Sequence, residues 1–269
     1  MVNEAVEQCL DRAGMTPDQV ESVVMSNNGH YWDGQPAVAA QSWLYGHEFG
    51  HVQIFNVENA CVGGGTAMHL GSMLLELQRG PVLVIGVERM YVSRDVLDEL
   101  EIPHPVRDML LRQMEGGINR DLREELRAQY ANDFGSIFMG LNGSWAQSQL
   151  DVRGHTPEQA AIATSKARHN ALLSGNARFM SEMSVDEVLD SPMVADPIRL
   201  SMCSPFSDGA GAVLLTADAP SDRPALVASE YVSGDGTGEA HERMEVMSGK
   251  IWAELGLDPH DVDVVEVHD

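Results

Sequence analysis

Short unbroken runs of valine, isoleucine and leucine alternate with longer helix-like segments, and this alternation predicts a layered α/β chain. The pattern predicts a helix over residues 4–12 and a strand over 20–25. A polar, glycine-containing loop at 27–34 and a helix over 36–45 follow. A short strand over 52–57 runs into Asn59, Ala60 and Cys61, then Gly63, Gly64 and Gly65, with a helix from about residue 66 to 79. Residues 81–87 are an unbroken apolar strand, as expected where helices cover both faces of a sheet.

The character then changes. Residues 91–142 are charged and helical in pattern (118–130, for example) without a strand signal, and read as an insertion or cap. Thr156-Pro157-Glu158 is a helix start, with proline at the first position, and the helix runs to 173. A short helix is predicted over 184–190 and extended chain over 193–200. Asp208-Gly209 is read as a turn into a strand over 212–216, and residues 225–232 as a further strand-like run.

Two segments resemble each other. Residues 14–27 read GMTPDQVESVVMSN and residues 256–269 read GLDPHDVDVVEVHD. Without gaps, Gly14 aligns with Gly256, Pro17 with Pro259, Val20 with Val262 and Val23 with Val265. Each copy follows a helix-like stretch, so both read as a helix ending at glycine, a proline turn and a strand of valines. An isolated match of this common connection also arises by chance. A true repeat implies a duplicated fold. The first copy lacks a preceding strand and the second stops inside its own, so the chain is expected to be incomplete at both ends or completed by another polypeptide.

Composition narrows the function. The 269 residues carry 41 acidic and 17 basic side chains, a formal charge of −24. That charge disfavours sequence-independent binding to nucleic acid or anionic lipid, although a few arginines in one cleft can still take a phosphate-bearing ligand. No apolar run approaches the roughly 18 residues of a membrane span, and the first ten residues do not read as a signal peptide. A cytoplasmic protein without a membrane span is expected. Cys9, Cys61 and Cys203 lack CxxC spacing, so neither a disulfide framework nor a metal site is expected.

Cys61 is the candidate for chemistry. It lies between a predicted strand and a predicted helix, where free N–H groups and the positive dipole end favour a thiolate. The glycines after it let backbone approach a bound group closely. A buried structural cysteine is the alternative for the same residues.

The string Asn56-Val57-Glu58-Asn59-Ala60-Cys61 with residues 63–67 resembles the nucleophile segment of the thiolases, most nearly the sterol-carrier-protein class and its bacterial and archaeal relatives. Residues 83–90, residues 193–200, residues 207–210 and Glu266-Val267-His268-Asp269 resemble further blocks of that family, in order. The resemblance implies a duplicated βαβαβαββ fold in αβαβα layers with a helical cap insertion and an incomplete second half. The expected divisions are 1–90 for the first half, 91–200 for the insertion, 201–222 for the returning strand and 223–269 for the start of the second half. It further implies that Cys61 accepts the acyl group, that His268 helps form an oxyanion hole, and that Gly63 and Gly64 line a loop near the acyl group. The substrate would be a coenzyme A thioester, with no permanently bound cofactor and no metal. The expected assembly is a homodimer or dimer of dimers, with a small OB-fold, zinc-ribbon protein as a further partner.

The chain departs from the family in lacking a Gly-His-Pro histidine and the second catalytic cysteine; His104 precedes Pro105 but follows Pro103, so the role is not carried to it. The isolated polypeptide is therefore expected to be inactive unless the missing groups are supplied in trans. Three readings follow: an acyl-CoA C-acyltransferase, a thiolase-like aldolase acting on a β-hydroxyacyl-CoA such as a steroid side chain, and a partner-dependent subunit. Retention of Cys61 and His268 favours the first.

Overall fold

Five consecutive buried residues, Ser22–Ser26, form β1, an inner strand of a four-stranded sheet. β2 (Gln53–Val57) and β3 (Val82–Glu88) lie parallel on either side of it, with Val24 opposite both Phe55 and Val84. The computed structural model describes residues 1–27, 39–44, 47–77, 80–88, 137–205, 207–218, 222–233 and 240–266. Along the chain, β4 (Met193–Ala195) and β5 (Ile198–Arg199) form a separate two-stranded hairpin. β6 (Gly209–Leu215) returns antiparallel to β3, completing the sheet order β2-β1-β3-β6.

Strand periodicity divides the apolar residues between two cores. Val23 and Met25 of β1, with Leu83 and Ile85 of β3, meet Val6 and Leu10 of helix α1 (Val2–Ala13) and Ala40 of α2 (Ala39–Leu44). Val24, Val82 and Val84 face the other way, onto Ala67 and Leu74 of α3 (Gly63–Glu76). Successive side chains point to opposite faces, so an all-apolar strand fills both layers. Each such buried side chain contributes about 2 kcal/mol. The sheet covered on both faces, expected from residues 81–87, is what forms.

The glycine-turn repeat is present in the backbone. Gly14 ends α1 with φ 65°, and Gly256 ends α7 (Ala240–Leu255) with φ 61°. Met15 N–H donates to the Leu10 carbonyl at 3.0 Å and Leu257 N–H to that of Trp252 at 3.2 Å, closing each helix in the same way. Pro17 and Pro259 then open single-turn 3-10 helices, Pro17–Gln19 and Pro259–Asp261. Thr16 N–H donates to Gln19 Oε1, and Asp258 N–H to Asp261 Oδ2, both at 2.8 Å.

Beyond that turn the copies diverge. The first continues into β1. Among the described residues, 224–233 and 262–266 have no sheet partner, so neither strand expected there forms. Extended backbone becomes sheet only beside a neighbour that takes its N–H and C=O groups. No described strand flanks these segments, and Val227 and Val265 are 67% and 65% exposed. The turn expected at Asp208-Gly209 is also absent, because β6 begins at Gly209 and needs no reversal after Asp208.

The chain divides into two units, Met1–Met90 with Asp208–His268, and Tyr91–Ser207. The second unit contains α4 (Ile137–Arg153), α5 (Pro157–Ser174), α6 (Val185–Asp190) and the β4–β5 hairpin. Thr156 and Gln159 close a capping box ahead of Pro157, as the Thr-Pro-Glu start predicts. The helical expectation for 118–130 lies outside the described residues, whereas 137–142 belong to α4. Among the described residues no helix is long and apolar enough to cross a membrane.

Candidate functional site around Cys61

β2 delivers the chain to Asn59, and a single 3-10 turn, Ala60–Val62, carries Cys61 to the start of α3. The turn is closed twice on the backbone: Val62 N–H donates to the Asn59 carbonyl at 3.0 Å, and Gly63 N–H to that of Ala60. Ala60 sits at φ 44°, a left-handed conformation that side-chain-bearing residues seldom adopt. Cys61 is exposed, not buried in apolar packing.

The helix begins earlier than the glycine run suggests. Gly63, Gly64 and Gly65 form its first turn, not a loop before it, which corrects the placement expected for Gly63 and Gly64. The reason lies in packing. Gly63 is buried against β1, and a Cβ on it would collide with Ser26 Oγ. Gly64 faces open space. Gly63 thus lets the helix start settle on the sheet directly behind the cysteine.

Side chains brace the turn. Asn59 Nδ2 donates to Thr66 Oγ1 and to Tyr231 Oη, both at 2.9 Å, and Thr66 Oγ1 donates to the Val62 carbonyl at 3.1 Å. His69, one helical turn after Thr66, places Nδ1 3.0 Å from Ser229 Oγ and stacks beside the Tyr231 ring with centroids 6.3 Å apart. Hydrogen bonds to Ser233, and secondarily to Asn59, hold the Tyr231 phenol below the usual tyrosine range. His69 is therefore held by polar contacts as well as packing. Tyr231 and Ser229 carry no sequence signal for this role, since their segment reads only as an apolar strand.

The remaining cysteines differ. Burial pushes the thiols of Cys9 and Cys203 up, and Cys203 Sγ lies 3.5 Å from the Arg199 carbonyl. These fit structural thiols. His268, expected near the site, lies outside the described residues, as does His104.

Comparison with known proteins gives the fold its family. The profile for "Thiolase, N-terminal domain" matches residues 1–219. An acetyl-CoA acetyltransferase of Methanothermobacter thermautotrophicus is 32% identical over 79% of this chain and 53% of its own length. The benzoylsuccinyl-CoA thiolase subunit BbsB of Thauera aromatica is 28% identical over 82% and 54%, and the non-specific lipid-transfer protein-like 2 of Caenorhabditis elegans 26% over 100% and 66%. The chain thus spans about half to two thirds of the length of these curated relatives. Among solved structures, the Ltp2-ChsH2(DUF35) aldolase superposes with a TM-score of 0.64 at 18% identity, covering 97% of this chain and 65% of that one. The Acat5 thiolase of Ascaris suum, solved in complex with coenzyme A, gives 0.58 at 14%, covering 97% and 72%. With the family profile matched over residues 1–219 and the backbone superposing on a thiolase, the chain belongs to the thiolase family and has the α/β fold of its N-terminal half.

Proposed function

We propose that this chain carries the acyl-accepting half of an acyl-CoA C-acyltransferase, with Cys61 as the acceptor. The observation that carries the reading is an exposed thiol on a tight turn whose next residues open a fourteen-residue helix. Amide hydrogens of a helix's first turn that carry no intrahelical partner stabilise an oxyanion formed beside them. Its similarity to an acetyl-CoA acetyltransferase and to a CoA-thioester thiolase subunit supports a coenzyme A thioester as the substrate.

In the thiolytic direction, Cys61 Sγ attacks the 3-keto carbon of a 3-ketoacyl-CoA. The bond between carbons 2 and 3 breaks, and acetyl-CoA departs after protonation at carbon 2. The thiol of a second coenzyme A then takes the acyl group from Cys61, which regains its proton. Condensation is the reverse. His268 is the proposed oxyanion donor, and Gly63 and Gly64 are proposed to lie near the acyl group. The division into a first half at 1–90, a cap insertion at 91–200, a return at 201–222 and a second half from 223, within a duplicated homodimeric fold, belongs to the same proposal.

No Gly-His-Pro string occurs in this sequence, so a histidine that activates the sulfur has to come from elsewhere. The reading therefore predicts stoichiometric acylation of this chain rather than steady turnover. Incubation with acetoacetyl-CoA, followed by peptide mass mapping, is expected to show one acetyl group on the Cys61 peptide and none in Cys61→Ala. Acylation elsewhere, or carbon–carbon cleavage that survives Cys61→Ala, overturns it; the latter favours the aldolase reading. A partner protein stands as a second reading, supported by the pairing of two components in the superposed Ltp2-ChsH2(DUF35) aldolase.

A further inference from the structure

We infer that Tyr231 is a positioning residue for Cys61: its phenol oxygen, through Asn59, latches the turn that presents the thiol. The inference rests on Cys61 being the acyl acceptor, but the latch is testable without any thioester.

The geometry is one of matched periods. Ser229 and Tyr231, two residues apart, both reach toward α3, and Ser233 bonds the Tyr231 phenol. Thr66 and His69 are three apart on α3 and share one helix face. Ser229 reaches His69 at 3.0 Å while Tyr231 reaches Asn59 at 2.9 Å, so the segment runs along the face of α3 that starts at the cysteine turn. Lys250 Nζ, 3.6 Å from Glu230 Oε2, ties the segment to α7 from another direction.

Asn59 is the junction. Both hydrogens of its amide nitrogen are engaged, one by Thr66 Oγ1 and one by Tyr231 Oη. Its carbonyl oxygen on the backbone receives Val62 N–H, and Thr66 passes its own hydrogen to the Val62 carbonyl. Asn59, Thr66 and Val62 thus form a ring of bonds around Ala60 and Cys61. The left-handed Ala60 persists only while its neighbours are held. Among the described residues, Tyr231 is the group from outside residues 59–66 that bonds Asn59, across 172 positions of sequence. With Thr66 inside the turn it sets which way the Asn59 amide faces.

The test uses the full chain and iodoacetamide, with Cys61, Cys9 and Cys203 followed separately by peptide mass mapping at one pH. Tyr231→Phe removes only the phenol oxygen. It is expected to slow alkylation of Cys61 about fivefold, the equivalent of one ordinary hydrogen bond, with Cys9 and Cys203 unchanged. Asn59→Ala is expected to slow it at least as much. The double variant should be no slower than Asn59→Ala alone, because both substitutions break one connection. A purely structural role would instead loosen the fold and accelerate the partly buried Cys9 and Cys203. Such acceleration, an unchanged or faster Cys61 in Tyr231→Phe, or additive losses in the double variant overturns the latch. Failure of the acyl-transfer reading is recognised separately: the alkylation pattern would hold while no variant, nor the unaltered chain, takes up an acetyl group from acetoacetyl-CoA.

Discussion

Gly71 of α3 lies so close to Val84 of β3 that a Cβ on the glycine would stand 2.9 Å from Val84 Cγ2, and equally near Leu215 Cδ1. The helix that carries the cysteine turn at its head is thus seated on the sheet by a bare backbone. Ordinary helix propensity says that Gly71→Ala stabilises by about 1 kcal/mol. Overpacking against a stiff valine costs about 1–3 kcal/mol and outweighs it. The expected outcome is a net loss of about 1 kcal/mol, seen as a lower urea midpoint with an unchanged slope.

The three thiols are expected to react in a definite order. Cys61 is exposed, whereas burial raises the thiols of Cys9 and Cys203 and lowers their thiolate fraction at neutral pH. Limited alkylation of the native chain should label Cys61 first, with the other two following as pH rises or denaturant is added. Equal labelling at all three sites under native conditions would contradict this.

Acid should weaken the second unit at a named cap. Ser184 N–H and its hydroxyl both donate to Glu187 Oε2, at 2.7 and 2.8 Å, while Glu187 N–H donates back to Ser184 Oγ at 3.2 Å. The backbone bond from Ser184, then the hydroxyl, lowers the Glu187 pKa. A depressed carboxylate contributes stability that is present above its unfolded pKa and lost as pH falls through the folded value. Thermal midpoints of the native chain and Glu187→Gln should therefore differ at neutral pH and converge as pH falls below the ordinary carboxylate range.

Salt should stabilise this protein. With 41 acidic and 17 basic side chains the folded state repels itself at low ionic strength. Raising NaCl from about 0.05 M to about 1 M shortens the Debye length from roughly 14 Å to 3 Å, and the melting temperature is expected to rise. A flat or falling profile would show that local ion pairs outweigh the net charge.

Much of the sheet was legible because its code is local. Val23 to Met25 and Val82 to Ile85 are apolar at every position, which only a doubly covered strand tolerates, and Gly14 with Pro17 marks the turn that enters β1. Helix ends were read less well where packing overrode propensity: glycine is a poor helix former, yet Gly63 starts α3 because nothing larger fits beside Ser26. Residues 225–232 have a strand's composition, but composition cannot supply the neighbour that a strand requires. In the site, Cys61 announces itself through its motif. Tyr231 does not, since a contact spanning 172 residues with Asn59 leaves no trace in local spacing.

The adjacent pair Val23 and Val24 shows how far the strand's alternation reaches. One belongs to the layer under α1, the next to the layer under α3. The sheet acts as a bulkhead: damage introduced through Val23 floods the compartment that seats α1, and the compartment behind the Cys61 turn stays dry until the bulkhead itself gives way.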